Sequence, residues 1–158
     1  MQHQSPFKIF VDADSCPIDA RNLVLRRCDK LHIKAIFVAN RRIPGIDEVA
    51  MEICSAQENA ADDRIAELAT KGDIVITRDI PLAQRLVIKG ITVINDRGRV
   101  YTQENTGELL SLRNFTVGLA ENGIPVERKG SYGKKDLKKF ADSLDRLLTR
   151  ERGAASSQ

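Results

Sequence analysis

Tryptophan is absent from this 158-residue chain, histidine occurs twice, cysteine three times, and 5 Phe and 2 Tyr make up the whole aromatic complement. Each scarcity excludes something. Cys16, Cys28 and Cys54 are odd in number, far apart and without histidine companions, which argues against a disulfide framework or a zinc centre and predicts reduced thiols. The phenylalanines sit mostly in apolar runs, leaving Tyr101 and Tyr132 as the stacking platforms, too few for sequence-specific readout of a single strand. No apolar run approaches the roughly 20 residues of a membrane span. Residues 1–7 lack the charged-then-apolar plan of a signal peptide, so a cytoplasmic protein without a membrane partner is expected. His3 and His32 have no evident partner in the pattern.

Net charge is also small, with 25 Lys/Arg against 22 Asp/Glu and a formal balance of +3. The distribution says more than the sum. Residues 1–126 hold 16 Lys/Arg against 17 Asp/Glu, a net of −1, whereas residues 127–158 hold 9 against 5, a net of +4. A slightly acidic body thus carries a basic tail. The acids divide into 13 Asp and 9 Glu, an excess of the carboxylate that favours loops and helix starts.

What the chain does have is alternation of short apolar runs with amphipathic stretches. Phe7-Lys8-Ile9-Phe10-Val11 predicts a buried strand, followed by a helix over 17–30 capped by Ser15 or Cys16, with Ile18, Leu23 or Val24, and Leu25 facing inward. Strands are predicted at 34–39, 74–77 and 91–94, helices from 61 to the Lys71-Gly72 stop and over 81–89, and a small edge strand at Val100 and Tyr101. Residues 47–56 read as a strand from the alternation of Val49, Met51 and Ile53; 107–122 read as one or two short helices and 123–133 as an irregular connector. A last helix over 134–150 carries Leu137, Phe140, Ala141, Leu144, Leu147 and Leu148 on one stripe, which needs a partner surface. The expected fold is a three-layer α/β/α sandwich on a mostly parallel sheet, in a single domain of residues 1–152 that includes this amphipathic helix, with 153–158 a disordered tail.

In an open parallel sheet, ligands collect beyond the carboxyl ends of the strands. Asp12 and Asp14 follow the first strand directly, Asp79 follows the 74–77 strand, and Asp62 and Asp63 open the helix before it, which places all five at one edge of the sheet. Asp62, Asp63 and Asp79 also suit ordinary helix caps, whereas two carboxylates at spacing two after an apolar strand incur a repulsion that capping does not require. Carboxylates gathered from distant segments need a proton or a cation between them. Oxygen donors without thiolate or imidazole select Mg2+ or Mn2+ over zinc, and such a centre suits phosphodiester chemistry. Ser15, Asn40 and Thr77 lie at the same edge as candidate substrate or ligand contacts; Arg41, with Arg42 beside it, and Lys134 and Lys135 are candidate phosphate contacts. Cys16 stands near a helix start, but the neighbouring carboxylates oppose a reactive thiolate.

At these residues the chain resembles the YaiI/YqxD family of small bacterial proteins, itself similar to the PIN and NYN nuclease superfamily. The matching segments are Phe10-Val11-Asp12-Ala13-Asp14-Ser15-Cys16-Pro17, Val38-Ala39-Asn40, Ala60-Ala61-Asp62-Asp63 and Gly72-Asp73-Ile74-Val75-Ile76-Thr77 with Asp79-Ile80-Pro81-Leu82-Ala83, followed by Asn95, Arg97-Gly98 and Lys135-Asp136. Ser15 and Asp96 depart from the residues usual there, alanine and proline. The resemblance implies a PIN-like sandwich and an acidic metal site at Asp12, Asp14, Asp62 and Asp79, hence a Mg2+- or Mn2+-dependent nuclease or phosphodiesterase acting on RNA. Two other readings stay open at this point: a haloacid-dehalogenase-like phosphatase with Asp12 as nucleophile, and a metal-dependent nucleotide- or RNA-binding module without turnover.

Overall fold

The computed structural model describes residues 6–125 and 130–156. His3, the central part of the expected connector and residues 157–158 lie outside them. Six strands form one sheet: β1 (Lys8–Asp12), β2 (Lys34–Ala39), β3 (Met51–Ile53), β4 (Ile74–Ile76), β5 (Thr92–Ile94) and β6 (Val100–Tyr101). Their order is β3-β2-β1-β4-β5-β6, parallel throughout except for the antiparallel β5/β6 pair. The central strands are apolar on both faces because both are covered: Ile9, Phe10 and Val11 of β1 and all of β4 are buried.

The helices α1 (Ile18–Leu31) and α5 (Lys134–Ser156) cover one face, and α2 (Ala60–Leu68) and α3 (Ile80–Ile88) the other. Side-chain alternation divides the core accordingly. Ile9, Val11, Ile74 and Ile76 pack with Leu23, Val24, Phe140, Leu144 and Leu148, whereas Phe10, Val38, Val75 and Val93 pack with Ile65, Leu82 and Leu86. The α5 stripe therefore finds the partner it requires, reinforced by Arg27 donating from Nε to Asp145 at 2.8 Å. This is the expected three-layer sandwich. No helix among the described residues is long and apolar enough to cross a membrane.

Local details depart from expectation where a backbone group found a different partner. Pro17 occupies the N-cap of α1 without any side-chain cap, so neither Ser15 nor Cys16 serves, and Ile18 is 61% exposed where the first turn faces solvent. Asp47 accepts the Val49 N–H and starts a short 3-10 turn, which shortens the expected 47–56 strand to the three residues of β3. The 107–122 segment is one helix, α4 (Gln103–Glu121), because Thr102 and Asn105 form a reciprocal capping box at 3.0 and 2.8 Å upstream of Gly107. α5 continues through Gly153 to Ser156, so the tail expected from 153 is helical over its first four residues. Gly98, at φ +90, lets the β5–β6 turn press against α5: a Cβ there would lie 2.6 Å from the Lys139 carbonyl oxygen.

Candidate active site

From β1 the chain winds outward through β2 and β3, then returns to place β4 on the other side of β1. The segments leaving these adjacent strands part to opposite faces, α1 to one and α3 to the other, and the carboxyl ends of β1 and β4 are left flanking a crevice. Its volume is about 320 Å³, and Asp12, Asp14, Asp62 and Asp79 all line it, with Ser15, Asn40 and Arg78.

Each carboxylate is held differently. Asp12 ends β1 and accepts the Thr77 hydroxyl at 2.9 Å; the same Thr77 oxygen accepts the Asp79 N–H at 3.0 Å, so one buried threonine ties the ends of β1 and β4 together. Asp14 accepts the Asn40 N–H at 2.8 Å, which links the β1 and β2 ends. Asp79 caps α3 by accepting the Leu82 N–H at 2.8 Å, so the capping role and a place in the crevice coincide in this residue. Asp62 lies in the first turn of α2 but caps nothing; the N-cap is Asn59, in the left-handed region at φ 65.

The consequence is electrostatic conflict. Asp62 is pushed up to about 7 by burial first, then by the charges of Asp79 and Asp12 beside it, so a proton on Asp62 relieves the repulsion. Burial also raises Asp12, partly offset by the Thr77 hydroxyl and reinforced by Asp79 and Asp14. A divalent cation would relieve the same repulsion that the proton relieves, and the oxygen-only donors fit a hard cation in chemistry and charge. Among the described residues no group of three or more His, Cys, Asp or Glu side chains is already gathered so as to hold an ion alone. Mg2+ commonly takes one or two carboxylates and retains water for the rest of its shell, which suits this arrangement.

The remaining candidates divide. Ser15, Asn40 and Thr77 stand in or beside the crevice as expected, Asn40 and Thr77 chiefly as supports for Asp14 and Asp12. Asp63, next to Asp62 but turned away by the helical step, pairs with Arg85 at 2.8 Å. Arg41, Lys134 and Lys135 are exposed and do not line the crevice. Burial pushes the Cys16 thiol up to about 12, which leaves it a packing residue against the core. The residue that sequence reasoning missed is Arg78, whose Nε donates to the buried Asp96. Its position between Thr77 and Asp79, just past β4, was the available signal.

Comparison with known proteins supplies the family. The model described as "Uncharacterized BCR, YaiI/YqxD family" matches residues 10–150. The chain belongs to the YaiI/YqxD family. Among its relatives are UPF0178 proteins of Treponema denticola, 46% identical over 90% of this chain and 92% of the relative, and of Treponema pallidum, 47% identical over 87% and 79%. A UPF0178 protein of Myxococcus xanthus is 42% identical over 90% of this chain and 95% of its own length. No solved structure matches the chain. The matched YaiI/YqxD segment contains the crevice and α5 through Arg150.

Proposed function

We propose that this YaiI/YqxD protein is a Mg2+- or Mn2+-dependent phosphodiesterase that cleaves RNA in the cytoplasm, with the crevice at the β1 and β4 ends as its active site. The observation that carries this reading is the convergence of Asp12, Asp14, Asp62 and Asp79 on one crevice at the β1 and β4 ends, where burial and neighbouring carboxylates raise Asp12 and Asp62. The resemblance to PIN and NYN nucleases supports the same conclusion.

Asp12, Asp14 and Asp79 would hold the cation, each oriented by a separate donor: the Thr77 hydroxyl, the Asn40 N–H and the Leu82 N–H. When bound, the cation polarises the phosphoryl centre and offsets charge on the leaving oxygen. Asp62, which lines the crevice with Asp79, is placed to take a proton from the attacking water onto its carboxylate. Arg78 supplies the positive charge in the crevice wall that an anionic substrate needs. No lysine lines this crevice among the described residues, which weighs against the dehalogenase-like phosphatase, a mechanism expected to use one.

The test is cleavage of single-stranded RNA, structured RNA and DNA with and without Mg2+ or Mn2+, beside Asp14→Asn and Asp79→Asn. Asparagine at 79 retains an acceptor for the Leu82 N–H, so the α3 cap survives while the charge is lost. Cation-dependent RNA cleavage abolished by both substitutions is the expected result. Activity that persists in both overturns the site; RNA binding without cleavage favours the binding module, and a phosphoryl group trapped on Asp12 favours the phosphatase.

A further inference from the structure

A second cleft, of about 390 Å³, adjoins the acidic crevice on the other side of Arg78, between the β5–β6 turn and α4. Arg78 belongs to both walls. Its Nε is engaged by Asp96 at 2.5 Å, while Nη1 and Nη2 have no partner among the described residues. A guanidinium anchored along one edge presents the other as a two-donor fork, the geometry that receives a phosphate.

Arg99 lines the same cleft, exposed and with no ion pair among the described residues. Its backbone is held firmly. Asn95 Oδ1 accepts the N–H of both Arg97 and Arg99, at 3.0 and 2.9 Å, and Ser143 of α5 donates its hydroxyl to the Gly98 carbonyl at 2.8 Å. Arg97, by contrast, is committed to structure: it donates to Asp136 at 3.0 Å and to the Gly130 carbonyl at 2.9 Å, and it lies 5.8 Å from the centre of the Tyr132 ring. Two guanidinium groups in this cleft are thus left with donors to give.

One side of the cleft is apolar or aromatic, with Ile80, Leu109 and Tyr132, the last fixed by its hydroxyl donating to the Asp96 carbonyl at 2.6 Å, while Asn95, Asp96 and Ser131 add polar atoms to the rest of the lining. A free phosphate would use the cations and leave this wall idle; an apolar ligand would leave the cations idle. A ligand with a phosphate at one end and a flat, largely apolar ring at the other uses both. We propose that the cleft is a nucleotide subsite, receiving the unit of the RNA chain next to the phosphodiester at the acidic crevice, with its phosphate on Arg78 and Arg99 and its base against Ile80, Leu109 and Tyr132. Its place beside a scissile bond rests on the phosphodiesterase reading; its affinity for a nucleotide does not.

Calorimetric titration of adenosine 5′-monophosphate, adenosine and inorganic phosphate into the chelator-treated protein tests the subsite without any turnover. The monophosphate should bind more tightly than either fragment, and Arg99→Ala should weaken it about tenfold. Arg26→Ala, which removes an equal charge from the exposed side of α1, should not. Equal affinity for phosphate and the nucleotide, or an unchanged affinity in Arg99→Ala, overturns the subsite. The two readings fail separately. Arg99-dependent nucleotide binding in a protein that cleaves nothing retains the subsite and removes the phosphodiesterase; RNA cleavage lost in Asp79→Asn but with an unchanged KM in Arg99→Ala does the reverse.

Discussion

Replacing Asp62 with asparagine should stabilise the cation-free protein at pH 8 and do progressively less as the pH falls. Asp62 is half-buried, and its proton affinity is raised from 3.8 to about 7 by burial and by the Asp79 and Asp12 charges. Because the folded state binds the proton more tightly than the unfolded chain, the folded state is favoured below about pH 4 and this advantage is lost as pH rises through about 7. For a fully buried carboxyl the interval from 3.8 to about 7 would correspond to about 4 kcal/mol. Solvent screening at a half-exposed carboxyl reduces that to about 1–2 kcal/mol at pH 8, with less than half of it at pH 5. Asparagine removes the charge and its amide can donate to Asp79 permanently. Urea unfolding followed by circular dichroism, in chelator, at pH 5 and pH 8 measures the difference directly. A variant no more stable than the parent at pH 8, or one stabilised equally at both pH values, would refute the reasoning, since an effect independent of pH cannot come from relieving charge.

A cation bound at the crevice must stabilise the fold by mass action, by about 1.4 kcal/mol at ten times its dissociation constant; the thermal midpoint should therefore rise with Mg2+ in the parent and not in Asp12→Asn, and an equal rise in both would place the ion elsewhere. Asp73 is buried at the amino end of β4, where it accepts the Lys8 N–H, the Thr70 N–H and the Thr70 hydroxyl at 2.9, 2.9 and 3.1 Å. Asp73→Ala strands those donors and should cost about 2–4 kcal/mol in urea titration while leaving Mg2+ dependence intact. Gly98→Ala combines a positive φ with a methyl group against the Lys139 carbonyl, so a loss of more than about 2 kcal/mol is expected, and a neutral result would show that the turn can lift off α5 at little cost.

Much of the fold was legible because its signals are local. Apolar runs bounded by Asp, Pro and Gly mark the strands, and the 137–148 stripe marks α5, whatever each packs against. Elements were misjudged where a single side chain decided them. The Thr102/Asn105 capping box carries α4 past Gly107, and the Asp47 turn shortens β3.

The carboxylates show where local reading ends. Asp12, Asp14, Asp62 and Asp79 were placed at one edge from the sequence alone, and they line one crevice. Yet Asp62 and Asp63 are neighbours of one residue type in one helical turn, and only one faces Asp79 while the other meets Arg85. Asp73 and Asp79 both flank β4, one supporting the amino end of the sheet and the other the crevice at its carboxyl end. Arg78, between two residues already singled out, gains its meaning from the buried Asp96. The sequence by itself determined which residue types stand at the strand ends, because strand and helix periods are read within a few residues. The tertiary structure decided which of them meet, because the β1–β4 pairing that joins Thr77 to Asp12 spans 65 residues, a distance over which no local pattern carries information.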